Sequence, residues 1–181
     1  LDTVGAAPND IIDIAALRTI ASISGFDSSV LLRIHNGGLI FNGATVSGLN
    51  VNTLFGTGTG ASLTEALVYV RDGQTGTSSI AGNVAARDFT KTGPGILELS
   101  GTTNLLHSNA VRMPVLSVQN GTLRFGSDAA QFTNLNRPAS TTDVTGHYVL
   151  NVNEAGVFDL NGLNTLVGGL TGNGTVSSVV A

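Results

Sequence analysis

Leu116-Ser-Val-Gln-Asn120-Gly121-Thr-Leu-Arg-Phe125-Gly126 is the stretch that decides the fold. Leu116 and Val118 alternate with polar residues up to Asn120-Gly121, and Leu123 and Phe125 then resume the alternation. A period of two puts Leu116, Val118, Leu123 and Phe125 on one face of a strand, facing an interior. Ser117, Gln119 and Arg124 are expected outside. Asn-Gly between two such runs marks a change of direction, because both residues tolerate positive φ. Alone, the stretch fits a two-residue hairpin reversal as well as a corner between successive strands of a coil.

Recurrence favours the corner. Leu32, Ile34, Asn36-Gly37, Leu39 and Phe41 draw the same figure 84 residues earlier. Val68, Val70 and Asp72-Gly73 repeat its first half 36 residues after Leu32, with Thr75 and Thr77 standing in for the second half. Leu150 and Val152, a corner at 153–156, then Phe158 and Leu160 before Asn161-Gly162 give a further copy. Leu163, Leu166, Leu170, Asn173-Gly174 and Val176 carry the pattern on. Each unit has too few apolar residues to bury alone, whereas stacked units share one continuous core. The expected fold is therefore all-β: a right-handed parallel β-helix, or solenoid, of short strands with Asn-Gly corners. Coils of ~20 residues at a strand spacing of ~4.8 Å predict about eight coils and a rod about 40 Å long.

One domain covers 1–181 on this reading. Residues 1–27 form an N-terminal cap or lead-in; Asp10 to Leu17 suits a helical turn or a strand equally, and a strand is expected from Arg18 onward. Gly93-Pro94-Gly95 reads as a tight turn, after which Leu97 and Leu99 face inward and Glu98 outward. The Asn/Thr-rich segment 130–147, with Pro138, reads as a loop projecting from the stack.

Composition agrees with many short strands and many turns. Hydrophobic residues make up 41 %, too many for a disordered Gly/Ser/Thr linker, while the charged fraction is only 11 % and glycines number 24. A net charge of −4 and a pI near 5.1, with few and scattered basic residues, give no footprint for nucleic acid. The absence of cysteine removes disulfides, thiolate metal sites and thiol nucleophiles. No apolar run reaches the roughly 20 residues of a membrane helix. The chain opens at Leu1 without Met or a signal-like segment, which reads as a processed form or an excised piece.

Asp88 to Asn104, containing Lys91-Thr-Gly-Pro-Gly-Ile-Leu-Glu-Leu-Ser-Gly101, followed by Val115 to Gly126, resembles the autotransporter-associated (passenger-associated) β-strand repeat. That pattern runs Leu-x-Lys-x-Gly-x-Gly-x-Leu-x-Leu-Ser-Gly-x-Asn, then a strand and Asn-x-Gly-x-Leu. Phe89 replaces the first leucine and Thr103 is one residue extra before Asn104. Leu150 to Val176 is similar to the neighbouring coil of such proteins. The resemblance implies a β-helical segment of an exported bacterial surface protein, extracellular or at the cell surface, with a structural role. The expected partners are further copies or further coils through the helix ends, and a surface glycan or host contact.

β-Helices can bind or cleave polysaccharides, which requires carboxylates and basic residues on neighbouring coils. The densest such group is Arg71, Asp72, Arg87, Asp88 and Lys91. Asp72 is accounted for as a turn residue before Gly73, and Arg87 to Lys91 read as flanking an exposed edge. His35, His107 and His147 lack any metal-ligand spacing and read as exposed polar residues. The alternate glycines of Gly56 to Gly60 are not followed by the lysine of a phosphate loop and read as a plain connection. Asn36, Asn42, Asn120, Asn161 and Asn173 are expected as corner residues whose amides bond between stacked coils. No catalytic, cofactor or metal residue is expected, and no enzyme activity.

Overall fold

A computed structural model describes residues 12–14, 31–35, 37–43, 48–49, 51–58, 60–73, 76–101, 104–107, 112–127, 132–134 and 148–178. Across these residues the protein is all-β with parallel sheets, and its helical content is one 3-10 turn at Gly60–Ser62. The chain returns again and again to the same ladder. β1 (Ile12–Ile14), β3 (Gly38–Phe41), β6 (Glu65–Val70), β9 (Asp88–Thr92), β12 (Val115–Phe125), β14 (Val149–Asp159) and β15 (Gly169–Gly172) lie side by side in parallel, seven successive levels.

Two further ladders complete the arrangement. β2 (Leu31–Ile34), β5 (Asn52–Phe55), β8 (Val84–Ala86), β11 (Asn104–Leu106) and β13 (Phe132–Asn134) form a separate five-stranded parallel sheet. β4 (Gly48–Leu49), β7 (Ser78–Ile80), β10 (Ile96–Leu99), the second halves of β12 and β14, and β16 (Thr175–Ser177) form the last. Because β12 and β14 run through both, the first and last ladders join into one 11-stranded sheet.

The opening stretch is thus one continuous strand with a bend in it. Its first half pairs with β9 and its second with β10, both in parallel, which excludes a hairpin at Asn120-Gly121. Gly121 makes the bend at φ +66, a conformation that suits glycine. In β14 the same bend takes an extra residue: the register slips between Val118 and Asn120, so that Asn120 faces Ala155. Such a bulge re-aims a strand without breaking its ladder.

Strand alternation fills the interior. Leu116, Val118, Leu123 and Phe125 are all fully buried, as their period predicts, and so are Leu97 and Leu99. Inward residues stack level on level, for example Phe89, Leu116, Leu150 and Leu170 in one column. Leu97, Leu123, Phe158 and Val176 form another. Phe125 meets Phe158 edge-to-face at 5.1 Å, and Phe132 packs between Phe89 at 5.3 Å and Tyr148 at 6.1 Å. Such pairs add about 0.5–1.5 kcal/mol beyond the area they bury.

Several expectations are corrected. The repeats do not align by 36 or 84 residues: Leu32 lies in the five-stranded sheet, whereas Val68 and Leu116 lie in the other. Val68 instead faces Leu39, and Val118 continues that column through Lys91. The figure of strand, corner and strand therefore occurs at more than one edge of the stack. From Leu39 to Val68, Lys91, Val118, Val152 and Gly172, successive returns take 20 to 34 residues, and all but the last exceed the ~20 expected. Ser117 faces outward as its parity says but is only 4 % exposed, because Gln119 and Asn151 close over its hydroxyl. Within 130–147, Phe132–Asn134 does not project: it is a strand paired with β11, and Phe132 is buried. At the N-terminus Ile12–Ile14 is strand, which decides between the two readings there, while the strand expected from Arg18 falls outside the described residues.

Candidate functional site

The chemistry-bearing residues gather on β9, and alternation along this strand sorts them. Phe89 and Lys91 share the inward parity, which places the only lysine of the chain inside the core. Lys91 is fully buried in the column of Leu39, Val68, Val118 and Val152. Its stem lies among apolar side chains, and its Nζ donates to the carbonyl oxygens of Gly93, of Gly95 at 2.6 Å and of Asn120 at 2.7 Å. Burial pushes the Lys91 ammonium down to about 7. The three oxygens oppose that push, since an ammonium has three N–H donors for them and a neutral amine only two. The lysine thereby holds the Gly93-Pro94-Gly95 turn of one level to the Asn120-Gly121 bend of the next.

Glycine shapes the same place. A Cβ on Gly121 would lie 2.6 Å from Gly93 O, from Gly95 O and from Lys91 Nζ. The cage is thus walled by backbone that tolerates no side chain at that position.

Asp88 begins β9 and is buried on the other side of the strand. Its carboxylate accepts from Arg112 on both oxygens, at 2.8 Å on Oδ1, from the Val115 N–H at 2.9 Å and from Arg87 Nε at 3.3 Å. Burial raises its pKa, but the hydrogen bonds from Arg112 and Val115, with the charges nearby, outweigh burial and hold the carboxyl below its ordinary value. Asp88 ties β9 to the entry of β12 one level on. A general base needs a lone pair directed at substrate, and here the lone pairs are directed at two arginines and a backbone amide.

The group Arg71, Asp72, Arg87, Asp88 and Lys91 divides accordingly. Asp72 is exposed and accepts from the Gly73 N–H at 2.8 Å, the turn role expected of it, and Arg71 is exposed beside it. Lys91 corrects the expectation of an exposed edge, because its parity with Phe89 carries it inward. That parity was visible in the sequence, but a lysine between two threonines reads by type as solvated. His35 and His107 are half-buried and not exposed, since each sits where a strand ends against the next level. His107 Nδ1 is buried with no hydrogen-bond partner among the described residues, and His147 lies outside them. Among the described residues no three His, Cys, Asp or Glu side chains gather as metal ligands. The glycine-rich connection closes on itself, with Gly56 bridged to Leu63 and the Thr57 N–H donating to Ser62 O at 3.1 Å.

Amides do bond between levels, though mostly not the expected ones. Asn161, at φ +52, donates from Nδ2 to Phe125 O at 3.2 Å, as predicted for a corner residue. Asn36 lies outside the described residues, and Asn120 takes part through its backbone oxygen. The other links come from Asn104 Oδ1 accepting the Val84 N–H at 3.1 Å, Asn52 Oδ1 accepting the Asn83 N–H at 3.0 Å, and Asn153 donating to Gln119. On the outer face Thr171 donates to Asn151 at 3.2 Å, and Asn151 donates to Ser117 at 3.4 Å. Arg124 and Asp159, register partners, pair at 2.9 Å.

The last described level differs from the rest. Leu170 is 62 % exposed and Val176 44 %, while Leu150 and Phe158, one level earlier in the same columns, are buried. Among the described residues β15 and β16 pair with β14 alone, so inward residues and a backbone edge have no described neighbour there. Among the described residues no helix is long and apolar enough to cross a membrane. Comparison with protein-family models, with curated proteins and with solved structures finds no match to the chain.

Proposed function

We propose that the chain is a right-handed parallel β-helix serving as a structural segment of an exported bacterial surface protein: a rigid stalk, adhesive surface or self-assembling extracellular fibre. Right-handedness follows the strong preference of parallel crossovers for that hand. The carrying observation is the stacked parallel ladders, whose last described level leaves inward residues exposed, Leu170 in β15 and Val176 in β16. An open edge of this kind accepts another strand by main-chain pairing while apolar side chains bury against it. The likeness of 88–126 to the autotransporter-associated repeat supports the surface location. On this reading the polar groups of β9 lock coil to coil and turn over no substrate.

Light scattering over a dilution series tests it. The isolated chain should associate reversibly as concentration rises, and Leu170→Asp with Val176→Asp should abolish the association. A monomer at every concentration would count against the fibre. Incubation with a polysaccharide panel addresses the alternative of a polysaccharide-binding or polysaccharide-cleaving β-helix. Product release abolished by Asp72→Asn or Asp88→Asn would overturn the structural reading.

A further inference from the structure

We infer that the carbonyl oxygens of Gly93, Gly95 and Asn120 form a binding site for a primary ammonium cation, which the protein fills with its own Lys91 and which a free alkylammonium enters once that side chain is cut back. Three oxygens from two successive levels converge on one nitrogen, two of them at 2.6 and 2.7 Å. Three acceptors match the three N–H bonds of a primary ammonium. The cage consists of neutral carbonyls, which stabilise a single positive charge. Divalent calcium or magnesium calls for six or more oxygens, several of them carboxylate or water.

The space leading to the cage is as specific as the cage. The Lys91 stem is buried between its register partners Val68 and Val118, so cutting it back leaves an apolar cavity that ends in polar acceptors. Lys91→Ala removes Cγ, Cδ, Cε and Nζ, three carbons and an amine, which is the outline of n-propylammonium. The backbone around the cage is held independently of the lysine. The Gly95 N–H donates to Val70 O at 3.1 Å, the Thr122 N–H donates to Gly95 O at 3.3 Å, and Gly121 leaves no side chain to collapse inward. The acceptors therefore persist when the lysine is shortened.

The test is thermal unfolding of Lys91→Ala with n-propylammonium chloride against tetramethylammonium chloride at equal concentration. Tetramethylammonium carries the charge but no N–H. At ~thirtyfold the dissociation constant, n-propylammonium should raise the midpoint of Lys91→Ala by about 4–8 °C, saturably. Tetramethylammonium should not. Wild type and Lys91→Met, in which a side chain fills the cavity, should respond to neither salt. Absence of a saturable rise in folded Lys91→Ala, or an equal rise in wild type or Lys91→Met, would overturn the inference. Should Lys91→Ala fail to fold alone, refolding yield with and without n-propylammonium becomes the readout, and an unchanged yield overturns it equally.

Discussion

Cutting Leu116 back to alanine should cost the fold far more than the same cut at Leu170, although the two leucines stand in one column. Leu116, Leu150 and Leu170 occupy consecutive levels, and their exposures are 0 %, 2 % and 62 %. Leu116→Ala removes a side chain packed between levels and leaves a cavity, at a cost of about 3 kcal/mol. For a chain of this size that lowers the melting temperature by about 6–12 °C. At Leu170 well under half of the side chain is withdrawn from water, so the cost is ~1 kcal/mol or less. Urea unfolding followed by circular dichroism, at protein concentrations low enough to keep copies apart, gives both values from the shift in midpoint at constant slope. Equal losses at the two positions would refute the reasoning, because the column would then be covered at Leu170 as it is at Leu116.

Other outcomes follow from the same geometry. Gly121→Ala should destabilise by about 2 kcal/mol or more, since its Cβ meets the lysine cage at a positive φ. Gly73→Ala, at φ +74 with nothing within 4 Å, should cost about 1 kcal/mol from backbone conformation alone, and equilibrium unfolding of the pair separates crowding from strain. Asp88 has a folded pKa below its unfolded value, so its contribution is fully present above about pH 4 and lost as pH falls through the folded value. Urea midpoints between pH 6 and pH 2 should fall more steeply for wild type than for Asp88→Asn, and parallel curves would contradict the assignment. Burial pushes the Tyr148 phenol up to about 12, so ultraviolet titration of Tyr69→Phe should show no phenolate step near 10 while the protein stays folded.

Where alternation is strong, the sequence shows which face of a strand is buried but not which ladder the strand joins. Leu116, Val118, Leu123 and Phe125 point inward as their alternation says, because a period of two depends on the backbone alone. Which strand lies beside which depends on the length of chain between returns, and that length varies. Hence Leu32 and Leu116, so alike in context, belong to different sheets. Phe132 is not legible in the sequence because its strand is three residues long, lies in a stretch rich in Asn and Thr, and is placed by packing against Phe89 and Tyr148. At the candidate site the turn role of Asp72 could be read from Asp-Gly, but the partners of Asp88 could not. Arg112 is distant in sequence and arrives only because β12 returns beside β9. Lys91 showed its parity with Phe89, yet burial of an ammonium makes sense only once the carbonyls of Gly93, Gly95 and Asn120 are known to converge.

Engineered disulfides test the central claim most directly, since the chain has no cysteine of its own. Leu67 and Thr90 are register partners on the outer face of adjacent parallel strands, near enough for a disulfide to close. Arg33 and Tyr69 are separated by the 36 residues of the sequence repeat, but lie in different sheets. The stacked parallel arrangement predicts rapid, near-complete oxidation of Leu67→Cys with Thr90→Cys under native conditions, and none of Arg33→Cys with Tyr69→Cys. The opposite result would contradict it.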